Sequence, residues 1–128
     1  MTTPSPSRTP SESVLCTPER GGFRIEMSGE IDLIARPQLN HVIEQVTAAQ
    51  PGEIFVDLRS VSFLGSEALS FFAALHGHVG PEHRVILRGP NRSARRSLEL
   101  TGFDQVLTII GADEPRPAPL PDPASTGH

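Results

Sequence analysis

The stretch Ile54–Leu75, IFVDLRSVSFLGSEALSFFAAL, holds the key to the architecture. Its first residues, Ile54 to Leu58, follow the Pro51-Gly52 breaker. They are too few for a helix and apolar enough for a central strand buried on both faces. From Ala68 onward, Ala68, Leu69, Phe72, Leu75 and Val79 recur at helical spacing and lay one apolar stripe along a helix. Between the two periods lies Gly65-Ser66-Glu67. Ser66 suits an N-cap, and Glu67 falls in the first turn, where free N–H groups favour a carboxylate. A strand that passes through a polar tip into a helix brings that tip to solvent, so function is expected there.

Working outward, Val14–Thr17 and Phe23–Met27 flank the turn signal Glu19-Arg20-Gly21-Gly22 and read as a hairpin. Ala35–Ala49 carries Leu39, Val42, Ile43 and Val46 on one helical face, with Pro37 placed for the opening turn. Beyond the tip, Arg84–Leu87 reads as a strand, Asn91 caps a helix ending at Thr101 before Gly102, and Val106–Ile110 forms a last strand. The order ββαβαβαβ predicts an α/β domain: a mixed, mostly parallel β-sheet with helices packed against it through right-handed crossovers. The folded unit spans 12–110. The Pro-, Ser- and Thr-rich ends, 1–11 and 111–128, read as disordered tails.

The 128 residues are 37% hydrophobic, enough for one core. A formal net charge of −4 leaves no electrostatic footprint for nucleic acid, and the chain has neither Trp nor Tyr for base stacking. The sequence lacks an apolar run of membrane-spanning length, and Met1 is followed by Thr, Pro and Ser rather than a signal-type apolar segment. A cytoplasmic protein without membrane insertion is expected. The single cysteine, Cys16, excludes an intramolecular disulfide and reads as a small core residue. His41, His76, His78, His83 and His128 follow no metal-ligand spacing, and neither metal nor other cofactor is expected. Leu64-Gly65-Ser66-Glu67-Ala68 sits where a nucleophile elbow would, but G-x-S-x-G is missing, as is a phosphate-binding G-x-x-x-x-G-K-[ST] loop. A non-enzymatic protein is therefore expected.

Gly29-Glu30-Ile31-Asp32 before the first helix, Val56-Asp57-Leu58 and Val61-Ser62-Phe63-Leu64, taken with the element order over about Ser13–Ile110, resemble the STAS domain of sulfate transporters and anti-sigma factor antagonists. The resemblance implies a protein-binding module in a bacterial partner-switching pathway that regulates transcription. In antagonist members the junction usually reads Asp-Ser-Ser or Asp-Ser-Thr followed by Gly, and the last hydroxyl is phosphorylated. Here it reads Gly65-Ser66-Glu67-Ala68, which puts Glu67 at the acceptor position. The implied partner is a GHKL-type serine kinase that doubles as an anti-sigma factor and supplies the ATP.

Glu67 then has two functional readings: a permanent charge that imitates the phosphorylated state, or a side chain tolerated by a constitutively bound partner. A third reading makes it a helix N-terminal glutamate that only favours the dipole. Ser66 is either an N-cap or a substitute phosphosite. Asp32 resembles a partner-binding aspartate of the family, and it equally suits a loop residue bonded to nearby backbone N–H groups. The expected contact surface is Asp32, Gly65, Ser66, Glu67 and Ala68. Asp57 reads as a strand-end residue that fixes the next turn. Arg88, Arg92, Arg95 and Arg96 form the one basic concentration, either a solvated face or a contact for an anionic partner or lipid phosphate. Two other resemblance-based roles stay open, an accessory subunit of a membrane lipid-transport ATPase and a structural subunit of a sensory assembly. A homodimer paired through sheet edges stays open too.

Overall fold

The computed structural model describes residues 13–19, 21–79 and 84–117. The tail read over 1–11, residues 118–128 of the other tail, Arg20 and His83 lie outside the described residues. Strands β1 (Val14–Glu19), β2 (Gly22–Ile31), β3 (Glu53–Leu64), β4 (Arg84–Arg88) and β5 (Thr108–Ile110) alternate with helices α1 (Arg36–Ala49), α2 (Ser66–Val79) and α3 (Arg92–Leu100) in the expected order. The sheet runs β1-β2-β3-β4-β5, antiparallel at the β1–β2 hairpin and parallel elsewhere.

Each βαβ step moves the chain one strand in the same direction. Right-handed crossovers then place every helix on one face of the sheet. Alternation along the strands sends Phe23, Ile25 and Met27, then Ile54, Val56 and Leu58, then Val85 and Leu87 to that face. There they share one core with Leu39, Val42 and Val46 of α1, Phe71, Phe72 and Leu75 of α2, and Ala94 and Leu98 of α3. Among the described residues the opposite face carries no helix, and it buries Asp57 and a small separate apolar cluster, Phe55, Ile86 and Ile110.

Several boundaries differ from the sequence expectation, each for a local reason. β3 continues through the polar residues after Leu58 because Val61 and Leu64 still reach the core while Arg59, Ser60, Ser62 and Phe63 point outward. β2 likewise runs through Ile31, with register shifts near Gly29 that let it stay alongside β3, so only Asp32 of the Gly-Glu-Ile-Asp segment leaves the strand. Val106 closes a short 3-10 turn, Phe103–Gln105, and the last strand starts at Thr108. The third helix matches its reading: Asn91 Oδ1 accepts from Ala94 N at 2.8 Å, and Gly102 takes φ +80° past the end.

Candidate functional site

Parallel β2 and β3 end side by side, Ile31 opposite Leu64, and this pairing builds the tip. Gly65 N donates to Ile31 O at 2.8 Å, joining the segment before α1 to the segment before α2. A side-chain carbon placed on Gly65 would stand 3.2 Å from Asp32 Cβ, 3.2 Å from Ile31 O and 3.3 Å from Phe63 Cε2. Glycine here lets the two loops close up, which brings the sequence-predicted Asp32 against Gly65, the residue that leads into Ser66, Glu67 and Ala68.

The roles within the tip are specific. Gly65 O accepts from Ala68 N and Leu69 N, so the cap of α2 is Gly65 and Ser66 is the first helical residue, not the N-cap. Ser66 is exposed and Ala68 is fully buried under the tip. Asp32 caps a 3-10 turn, Leu33–Ala35, by accepting from Ile34 N at 3.3 Å. That turn leaves Leu33 61% and Ile34 66% exposed, and Phe63 beside Gly65 is 46% exposed. Three apolar side chains thus stand in solvent around Asp32 and Glu67.

Glu67 is not a free charge. Arg36, the first residue of α1, donates through Nε to Oε1 at 3.1 Å and through Nη2 to Oε2 at 2.7 Å, a fork-to-fork pair across the two helix starts. The Arg36 hydrogen bond holds the Glu67 carboxyl below the usual glutamate range and pushes the guanidinium above its own. Residue-by-residue reading missed Arg36. A cation in the opening turn of a helix opposes the dipole, and that is the signal in the sequence that marks Arg36 as needing an acidic partner.

The basic concentration divides. Arg92, Arg95 and Arg96 are exposed on α3, with Arg95 3.6 Å from Glu99. Arg88 belongs elsewhere. It shares the strand alternation of Arg84 and Ile86, so it faces the helix-free side, 3.4 Å from Asp57 Oδ2 and 5.2 Å from the Phe55 ring centre. Asp57 fixes no turn, because β3 continues past it. It accepts from Arg59 N at 3.1 Å and Arg59 Nη2 at 2.8 Å, with Arg24 Nη2 at 3.4 Å. Burial pushes the Asp57 carboxyl up, but the Arg59 hydrogen bonds and charge, together with Arg88, outweigh it and hold the group at about 2.

Residues 19–110 match the protein family described as "Mlab, STAS domain". The chain belongs to the STAS domain family. An anti-sigma-F factor antagonist of Mycobacterium tuberculosis, RsfB, is 32% identical over 102 residues, covering 78% of this chain and 82% of the relative. A STAS-domain containing protein of Pseudomonas aeruginosa is 30% identical over 86 residues, covering 66% of this chain and 84% of its own length. The crystal structure of an anti-sigma factor antagonist from Mycobacterium paratuberculosis superposes with a TM-score of 0.69 at 31% identity, covering 80% of this chain and 88% of that one. The mixed five-stranded sheet with its three helices matches the fold of these relatives.

Proposed function

We propose that this STAS chain is an anti-sigma factor antagonist-like module. In this reading it acts in the cytoplasm by binding a GHKL-type serine kinase that serves as an anti-sigma factor, with no phosphorylation step at position 67. The observation that supports this reading is the Arg36–Glu67 pair set beside Asp32, Leu33, Ile34 and Phe63. A phosphate adds a charge of about −1.5 to −2 and three acceptor oxygens. The paired Glu67 carboxylate adds almost no net charge, because Arg36 neutralises it and occupies both oxygens. The tip therefore presents a compact ion pair in an apolar surround, closer in charge to an unmodified hydroxyl than to a phosphoserine. Of the two functional readings of Glu67, constitutive binding is the one that this geometry favours.

The surface has the anatomy of a protein contact, with exposed apolar side chains around a small polar centre. The antagonist relatives in Mycobacterium support the choice of partner class. The test is direct binding of the purified chain to the candidate kinase from the same cell, followed by calorimetry. Native protein should bind with or without ATP. Glu67→Lys, which sets two cations together, should weaken binding by about tenfold or more, a loss of at least about 1.4 kcal/mol. Equal binding by Glu67→Lys and by Leu33→Asp would overturn the proposal. A second reading, an accessory subunit docked on a lipid-transport ATPase, rests on the family resemblance given from the sequence. Binding to the ATPase subunit in place of the kinase would establish that reading.

A further inference from the structure

Residues 111–117, which follow β5, stay against the domain. Ala112 lies against Gly89 at the end of β4, and the segment then runs to the other end of the strands, where β3 begins and β1 ends. There Arg116 donates through Nε and Nη2 to Glu53 Oε2 at 3.1 and 2.7 Å and pairs with Glu19 Oε1 at 3.0 Å. Its guanidinium lies over the Phe55 ring, 4.3 Å from the centre. Arg24 and Arg88 flank the same ring at 5.0 and 5.2 Å. Phe55 is fully buried although, among the described residues, no helix covers it, and three guanidinium groups lie against its ring beside Ile86 and Ile110.

We infer that Glu19, Glu53 and Phe55 form a guanidinium seat, filled by Arg116 in the free protein, that takes a proline-flanked arginine of an extended partner segment when residues 111–117 lift away. The chemistry of the occupant is read from the segment that now sits there. A planar guanidinium can bond two carboxylates and stack on a ring at once, whereas an ammonium offers one point charge. Pro115 and Pro117 restrain the backbone on both sides of Arg116 and lower the entropy lost on docking. Lifting the segment frees Glu53 Oε2 and the side of the Phe55 ring that Arg116 covers, while Arg24 and Arg88 stay on the ring and Arg84 Nε stays 2.7 Å from Glu53 Oε1. This seat is on the opposite face from the helices and at the opposite end of β3 from the tip, and it does not depend on the proposed role of Glu67.

The test uses the full-length chain and its Arg116→Ala variant. Each is titrated with a blocked peptide, Asp-Glu-Pro-Arg-Pro-Ala-Pro, at millimolar concentration and followed by amide NMR. Arg116→Ala should show saturable shifts at Glu19, Glu53 and Phe55 with no change at Gly65–Glu67. The native chain should bind at least about tenfold more weakly, because its own tethered arginine competes at millimolar effective concentration. Binding should be lost with a lysine in place of the peptide arginine, and with Glu53→Gln added to Arg116→Ala. Arg116→Gln serves as an independent vacant-seat variant and should behave like Arg116→Ala. No saturable shift in either variant, equal binding by the native chain, or equal binding of the lysine peptide would overturn the inference.

Discussion

Replacing Asp57 by Asn removes one negative charge from the centre of the helix-free face and leaves Arg24, Arg59 and Arg88 facing an amide. The carboxyl falls from the ordinary 3.8 to about 2 in the folded chain. At 1.36 kcal/mol per pKa unit this corresponds to roughly 2.4 kcal/mol. Arg59, its closest partner, is 45% exposed, so solvent screens the pair and the expected loss is about 1 to 2 kcal/mol. The folded value is below the unfolded one. The stabilisation is therefore fully present above about pH 5 and drains away as pH falls toward 2. Urea unfolding followed by far-UV circular dichroism suits a chain without Trp or Tyr. At pH 7, Asp57→Asn should unfold about 1 to 2 kcal/mol more easily than the native chain, and the gap should narrow steadily between pH 5 and pH 2. A gap of the same size at both ends of that range would refute the electrostatic account, leaving lost packing or hydrogen-bond geometry as the cause.

Asn91→Ala removes the α3 cap together with the Nδ2 bonds to Val61 O and Ser62 O, and should cost about 1 to 2 kcal/mol in the same unfolding assay. Gln50 ends α1 at φ 49°, so Gln50→Gly should raise stability by about 0.5 to 1 kcal/mol, read as a higher urea midpoint with unchanged slope. Gly65→Ala forces Asp32 or Phe63 to move by a few tenths of an ångström and should cost about 1 kcal/mol, with amide shifts concentrated at Asp32–Ala35 and Gly65–Ala68.

Most of the helix-side architecture was legible because it follows simple periods. The apolar stripe of α1 and the buried run of β3 each show one dominant spacing, and Asn91 and Gly102 punctuate α3 as their chemistry requires. What escaped the reading has a common cause: contacts between residues far apart in the chain. Arg36 and Glu67 are 31 residues apart and meet only because β2 and β3 end in register. Arg88 looked like a neighbour of Arg92, yet strand alternation sends it to the face of Asp57. Composition alone suggested a tail from residue 111 onward, and a Pro-rich stretch discloses nothing about the carboxylates of Glu19 and Glu53 that meet Arg116. The Gly65-Ser66-Glu67 tip is legible in the change from strand to helix period, whereas Asp32 was named beside it through resemblance. The apolar surround of Leu33, Ile34 and Phe63 carried no signal of exposure in the sequence.

β3 is held unevenly along its length. Its first half, Glu53–Asp57, is paired with β2 on one side and β4 on the other, while the half leading to Leu64 is paired with β2 and touched across from it by the Asn91 amide. Amide exchange should divide at Leu58, slow before it and faster after it. This division lets the end of β3 and the Gly65–Ala68 tip open together while the strand's first half stays closed, so that motion at the tip is local and leaves the core intact.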